Sequence, residues 1–136
     1  MPSISEKFAE RRAEGRAILV PYMTSGFPSR SASVDVLTGL VEAGGDVLEL
    51  GIPFSDPLAD GPTIQDSTFR ALEGGMTVEG TLEVLAEFRR LSDAPIVLFS
   101  YLNPLLRYGL EAFLADAEEA GAQGLLLTDV PTGADS

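Results

Sequence analysis

Residues 48–65 read LELGIPFSDPLADGPTIQ, and they give the first indication of the fold. The stretch opens as an apolar run with one carboxylate, Glu49, and continues as a loop with three prolines and two aspartates, Asp56 and Asp60. An apolar run of strand length, a polar loop and a helical pattern are typical of one β-strand and α-helix unit. In parallel α/β folds functional groups collect at the carboxyl ends of the strands. The acidic loop is therefore the candidate site.

The same unit recurs on both sides of this stretch. The apolar runs of strand length are 17–23 (AILVPYM), 46–52 (DVLELGI), 95–101 (PIVLFSY) and 124–129 (GLLLTD). The helical patterns cover about 3–14, 31–43, 63–73, 78–91 and 110–120. Continuous apolar strands, rather than alternating ones, indicate a parallel sheet that helices cover. Repeated units of this kind build barrels or doubly wound sheets.

The unit count sets the scale of the fold. Four strands occupy all 136 residues, whereas a closed eight-stranded barrel typically needs about 250 residues. If the fold is a barrel, the chain is half of one. We therefore expect an α/β fold in which residues 1–136 form a single domain with four parallel strands, flanking helices and an N-terminal helix. That helix begins with a capping box, Ser3 to Glu6, and ends before Gly15.

Composition narrows the chemistry. The sequence has no Cys and no His, which excludes disulfides, a Ser–His triad and the usual zinc sites. Acid–base chemistry must then fall to Asp, Glu, Tyr or Lys. The net charge of −12 disfavours nucleic acid and anionic membranes as partners. No apolar run approaches the ~20 residues of a membrane helix, and the first residues lack the apolar core of a signal peptide. We expect a cytoplasmic protein without a bound metal.

Each acidic residue of the loop has a structural and a functional interpretation. Glu49 interrupts an apolar strand, where loss of hydration suits a carboxylate to proton transfer; alternatively it pairs with an Arg or reaches solvent. Asp60 precedes Gly-Pro, so it is a candidate N-cap of the next helix as well as a site residue. Asp56, in Ser-Asp-Pro, is equally typical of a turn. The residues alone leave these alternatives open.

The stretch LELGIPFSDPLADGPTIQ resembles the signature of the tryptophan synthase alpha subunit. Three further segments resemble the same family: Pro21–Pro28 (PYMTSGFP), Ser100–Pro104 (SYLNP) and Thr128–Pro131 (TDVP). The resemblance covers essentially the whole chain and corresponds to the N-terminal half of the family's (β/α)8 TIM barrel. It implies a lyase of tryptophan biosynthesis, which cleaves indole-3-glycerol phosphate to indole and glyceraldehyde 3-phosphate by a retro-aldol reaction.

The resemblance also implies roles for single residues. Glu49 would be the main acid–base residue, and Asp60 would stabilise positive charge at the indole nitrogen. The indole pocket would be lined by five residues at strand ends: Tyr22, Phe99, Tyr101, Leu126 and Thr128. Without the resemblance these five would be ordinary barrel core. Tyr22 stands where the family often has Phe.

The resemblance implies no cofactor in this subunit and a pyridoxal phosphate enzyme, the beta subunit, as its partner. The partner surface would include Pro53, Asp56, Pro57 and Asp129. The family chain is about twice as long, and the phosphate site of such barrels follows strands seven and eight. We therefore expect little or no lyase activity from these 136 residues alone.

Two other functions remain open at this stage. Half a barrel exposes its first and last strands as edges, so the chain could be a non-catalytic scaffold that self-associates, for example as a homodimer through its open edges. A different phosphate-handling barrel is the third hypothesis, which the 18-residue signature disfavours.

Overall fold

The computed structural model describes residues 3–130, which form six helices and four strands. In chain order these are α1 Ile4–Ala13, β1 Tyr22–Thr24, α2 Ser33–Glu42, β2 Leu48–Gly51, α3 Pro62–Glu73, α4 Val78–Arg89, β3 Ile96–Ser100, α5 Leu102–Tyr108, α6 Leu110–Ala120 and β4 Gly124–Leu127. The strands form one sheet in the order β1-β2-β3-β4, and every neighbouring pair is parallel. The predicted fold class, half of a (β/α)8 barrel, is confirmed.

The two faces of the sheet differ in burial. The face under the helices carries Met23, Leu50 and Leu98, all buried. The other face would line the interior of a closed barrel. Its two rows in register are Tyr22, Glu49, Val97 and Gly124, followed by Thr24, Gly51, Phe99 and Leu126. Several side chains on this face are half-buried, and Leu126 at the β4 edge is 44% exposed. The half-barrel is therefore sealed on its helical side and open on its inner side.

Helix α6 has the bounds that the sequence predicts, but its apolar face is divided. Phe113 and Ala117 are buried, whereas Leu110 and Leu114 are exposed. The helix packs against α4 and α5, and within residues 3–130 no other helix covers its outer flank. The outer flank of α6 therefore presents apolar side chains that the described part of the chain leaves uncovered.

Two elements differ from the sequence-based prediction. Strand β1 has three residues rather than the seven of 17–23, because Pro21 has no N–H to donate to the sheet and the Leu19 N–H donates to the Asp46 side chain at 2.9 Å. Helix α5 was not predicted. Its Pro104 lies in the first helical turn, where a missing N–H costs nothing, and the Leu102 N–H donates to Asp129 Oδ1 at 2.8 Å.

Helix α1 covers the amino-terminal end of the strands. Its capping box is present, with the Glu6 N–H donating to Ser3 Oγ and the Ser3 N–H to Glu6 Oε2. Arg11 Nε lies 2.6 Å from Oδ1 of Asp46, which is buried just before β2. The ion pair therefore ties α1 to the sheet.

No helix within residues 3–130 has the length and apolarity to cross a bilayer.

The stability of this attachment is expected to depend on pH. Burial alone raises the pKa of Asp46, but the Leu19 N–H and Arg11 outweigh burial, so the pKa lies below its ordinary value of 3.8. A lowered folded-state pKa means that the stabilisation is fully present above about pH 4 and is lost as pH falls through the folded-state value. Urea unfolding should show Asp46→Asn less stable than the unaltered chain at pH 7, with a smaller gap at pH 3. An equal gap at both pH values would contradict the expectation.

Arg89 joins the end of α4 to the segments that precede β3 and β4. Its Nη1 donates to the carbonyls of Ser92 at 3.1 Å and Ala94 at 2.7 Å, and its Nη2 donates to Gly121 O at 2.7 Å and Gln123 Oε1 at 3.1 Å. Burial lowers the pKa of Arg89. Gly121 has φ +107°, and a Cβ there would lie 2.6 Å from Arg89 Nε. Only glycine fits this contact.

Replacement of Arg89 by methionine should therefore destabilise the fold by about 3 kcal/mol, because it leaves several buried carbonyls without donors. Arg90→Met is the matched control, since Arg90 is exposed and next in sequence. The two variants should be compared by urea unfolding at neutral pH. Equal stability of the two would show that the Arg89 contacts contribute little.

Candidate functional site

Glu49 lies on the inner face of β2, between Tyr22 of β1 and Val97 of β3 in register. Its side chain is half-buried, whereas its strand neighbours Leu48 and Leu50 point into the helical core and are fully buried. The alternation of the strand thus directs one carboxylate towards the barrel interior. Within residues 3–130 no Arg or Lys forms an ion pair with Glu49, so the structural alternative of an Arg partner is wrong.

Asp60 lies at the end of the loop that links β2 to α3. The N-cap of α3 is Gly61, with Pro62 at the first helical position and no side-chain cap, so the interpretation of Asp60 as N-cap is wrong. Gln65 Nε2 donates to the carbonyls of Pro57 at 3.2 Å and Asp60 at 2.8 Å. These contacts fix the loop backbone through main-chain carbonyls and do not involve the Asp60 carboxylate.

The charges of nearby carboxylates raise the pKa values of two phenols, Tyr22 and Tyr101. Burial raises the pKa of Tyr22, the hydrogen bond with Thr24 lowers it, and the charges of Asp60 and Glu49 raise it. Burial also raises the pKa of Tyr101, the Ala59 N–H lowers it, and Asp60 raises it. Both carboxylates therefore act on Tyr22, and Asp60 acts on both phenols. One corner of the inner face therefore holds Tyr22 of β1, Glu49 of β2, Tyr101 after β3 and Asp60 of the loop before α3.

The predicted substrate-binding residues surround this corner. The Tyr22 and Phe99 rings meet edge to face, with centroids 5.6 Å apart. Leu126 pairs in register with Phe99, and the Thr128 N–H donates to Ser100 O at 3.2 Å, beside the end of β3. Thr128 Oγ1 is buried and has no hydrogen-bond partner within residues 3–130. Tyr22, Phe99 and Leu126 thus belong to the inner face of the sheet. Tyr101 and Thr128 directly follow the carboxyl ends of β3 and β4.

Sequence reasoning missed Phe54, although it lies in the stretch that the motif covers. The Phe54 and Tyr101 ring centroids are 5.3 Å apart, and the Ala59 N–H donates to the Tyr101 hydroxyl at 2.9 Å. Tyr101 therefore holds both ends of the acidic loop. The loop prolines suggested rigidity, but nothing local indicated that Tyr101, 42 residues beyond Ala59, anchors the loop.

The predicted partner surface has mixed exposure. Asp56 and Asp129 are exposed, Pro57 is half-buried and Pro53 is buried. Asp129 also accepts the Leu102 N–H, so its carboxylate helps to begin α5. Within residues 3–130 no group of three or more Asp and Glu side chains is arranged to hold a metal ion.

The chain is similar to proteins of one known family. The family model described as tryptophan synthase alpha chain matches residues 8–136. The chain belongs to the tryptophan synthase alpha-chain family. The matched range includes the acidic loop and all four strands.

Solved alpha subunits superpose closely on the chain. Tryptophan synthase subunit alpha of Legionella pneumophila str. Paris is 41% identical with a TM-score of 0.92, over 96% of this chain and 50% of that chain. A tryptophan synthase structure from M. tuberculosis, in an aminoacrylate- and BRD0059-bound form, is 42% identical with a TM-score of 0.87. The similarity covers 92% of this chain and 50% of that chain. A mutant alpha subunit from Pyrococcus furiosus is 46% identical with a TM-score of 0.81, over 85% and 46%. The chain spans about half the length of these structures.

Proposed function

We propose that the chain supplies the carboxylate half of a lyase site that cleaves indole-3-glycerol phosphate to indole and glyceraldehyde 3-phosphate. The observation that supports this most is the position of Glu49 beside Tyr22 on the inner face, where the charge of Asp60 also reaches the phenol. Two carboxylates in distinct surroundings are a general solution for acid–base chemistry without histidine.

The reaction needs two proton movements. The indole carbon that leaves the glycerol chain must gain a proton, and the hydroxyl on the adjacent glycerol carbon must lose one as the aldehyde forms. In the proposal Glu49 donates the first proton and accepts the second. Protonation of the ring carbon puts positive charge on the indole nitrogen, which the Asp60 carboxylate stabilises. The carbon–carbon bond then breaks, and its electrons return to the ring.

The remaining inner-face residues suit the flat ring of the substrate. Phe99 and Leu126 provide apolar surface, Tyr22 and Tyr101 provide aromatic walls with polar tips, and Thr128 lies at the rim. Pockets for small aromatic ligands combine an apolar lining with a few placed polar groups. These five residues are proposed as the indole wall that the four strands contribute.

These 136 residues alone should show little or no activity. Barrels of this kind bind phosphate with loops after strands seven and eight and with a helix N-terminus there, whereas β4 is the last strand within residues 3–130. Without that anchor the substrate is not positioned for proton transfer. The proposed complete site therefore needs the other half of the barrel.

The same proposal includes the partner. The exposed Asp56 and Asp129, with the half-buried Pro57 and the buried Pro53, are proposed as part of the contact with the pyridoxal phosphate-dependent beta subunit. A cytoplasmic location belongs to the proposal as well.

The proposed function can be tested in a joined barrel, defined as residues 1–136 fused to the second half of the Legionella alpha chain. The joined barrel should release indole from indole-3-glycerol phosphate, and Asp60→Asn should lower that rate at least about tenfold, because one electrostatic stabiliser is lost. Asp35→Asn is the matched control, because Asp35 is an exposed residue of α2. A folded joined barrel without indole release would overturn the proposal.

Self-association is the second candidate, and the sheet edges favour it. Strands β1 and β4 each have one neighbour in the sheet, and open edges are prone to pair with other chains. Light scattering of the purified 136-residue chain would show a discrete dimer if two copies close each other's edges. A stable monomer would exclude this function.

A further inference from the structure

A line of hydroxyl groups runs from the inner face to α3. The Tyr22 hydroxyl lies 3.0 Å from Thr24 Oγ1, which lies 2.6 Å from Ser67 Oγ. Ser67 Oγ in turn donates to the Ile64 carbonyl at 2.9 Å. We name these groups the hydroxyl relay. It joins β1 to a helix 43 residues further along the chain.

The relay has one consistent direction. A carbonyl oxygen only accepts, so the single Ser67 proton is used on Ile64 O. Ser67 Oγ must therefore accept from Thr24, which uses the single Thr24 proton. Thr24 Oγ1 must then accept from Tyr22. The Tyr22 proton is directed at Thr24, and the remaining acceptor capacity of the Tyr22 oxygen is left for the site.

The Tyr22 oxygen lies on the inner face, so the direction of its hydrogen bond decides what it offers a ligand there. The phenol lies across Gly51, where an added Cβ would be 2.1 Å from the hydroxyl oxygen, so any larger residue at position 51 would displace it. Within residues 3–130 Tyr22 makes no hydrogen bond besides the one with Thr24. The neighbouring Asp60 carboxylate is also an acceptor. The Tyr22 oxygen thus offers the site an acceptor and no donor, near a carboxylate whose charge reaches the phenol.

We infer that Tyr22 is a specificity-determining acceptor, held by Thr24 and Ser67 as positioning residues, which selects flat aromatic ligands with an N–H or O–H donor at the ring edge. This deepens the proposed function and rests on it for the identity of the ligand, since indole carries such an N–H. A fixed acceptor stabilises a ligand with a donor, whereas a ring without a donor leaves the acceptor unsatisfied.

The direction of the relay can be measured without a ligand. The tyrosine doublet in the Raman spectrum reports whether a phenol donates or accepts, and the difference between the chain and Tyr22→Phe isolates the Tyr22 signal. We expect a donor signature in the unaltered chain and in Ser67→Thr. Ser67→Ala frees the Thr24 proton to turn towards Tyr22, so the signature should shift towards acceptor. An acceptor signature in the unaltered chain would overturn the inference.

The selectivity can be measured by NMR titration of the 136-residue chain with indole and with benzothiophene, a ring of the same shape that lacks the N–H. We expect indole to bind about tenfold more tightly, which corresponds to about 1.4 kcal/mol. Tyr22→Phe and Ser67→Ala should each reduce that preference at least about threefold, because one acceptor is lost or turned. Ser67→Thr should retain it.

Equal binding of the two rings, or no saturable binding of indole to the chain, would overturn the inference. These outcomes are separate from the proposed function. If the joined barrel releases indole while Tyr22→Phe leaves the preference unchanged, the relay inference fails and the lyase proposal stands. If the preference follows the relay but the joined barrel is inactive, the lyase proposal fails instead.

Discussion

Replacement of Glu49 by glutamine is expected to lower indole release by the joined barrel at least about a hundredfold, the usual contribution of a positioned acid–base group. Glutamine keeps the shape of glutamate but cannot donate and accept the proton that the retro-aldol step moves. The side chain is half-buried on an open face and forms no ion pair within residues 3–130, so the substitution should leave the fold intact. The loss should therefore appear in kcat rather than in KM.

The control for this variant is Glu42→Gln, which makes the same chemical change on the exposed end of α2. Steady-state rates with indole-3-glycerol phosphate, measured together with urea unfolding of both variants, separate chemistry from stability. A kcat for Glu49→Gln within threefold of the unaltered protein would show that Glu49 is not the acid–base residue.

The second large effect concerns the open edge beside β4. Leu114 is exposed on α6 and, with Phe113 and Leu125, lines an apolar cleft of about 360 Å³ at this edge. In a complete barrel the next helix would cover such a cleft. We expect Leu114→Arg to weaken association with a separately produced second half by about 2 kcal/mol, or about thirtyfold in Kd, because a leucine contact is lost.

Leu91→Arg is the matched control, because Leu91 is more exposed, at 67%, and lies beside α4 away from both sheet edges. Both side chains are exposed in the isolated chain, so neither substitution should greatly alter its own stability. Titration calorimetry against the second half would measure both variants. Equal affinities would show that α6 does not border the contact.

Local sequence carries most of the fold. Helix α6 has the predicted bounds because Gly109 and Gly121 mark both ends, each with positive φ. The capping box of α1 is likewise a local device. Strand β1 and helix α5 were mispredicted because the deciding contacts are distant: Asp46 takes the Leu19 N–H, and Asp129 takes that of Leu102.

The site shows the same division. Glu49 and Asp60 stand out in one continuous stretch, and the resemblance assigns them roles. The sequence could not show whether Asp60 or Gly61 is the N-cap of α3, because the two residues are adjacent. In the structure the N-cap is Gly61. The hydroxyl relay could not be predicted, because Thr24 and Ser67 become neighbours only when α3 packs on β1.

The central claim is that these residues hold the carboxylate half of a lyase site and need the other half of the barrel. The most direct measurement is indole release from indole-3-glycerol phosphate by the 136-residue chain, alone and mixed with a separately produced second half of the Legionella alpha chain. The account predicts no measurable release by either piece alone and release that follows formation of their complex. Release by the 136-residue chain alone, or a stable complex that releases no indole, would contradict it.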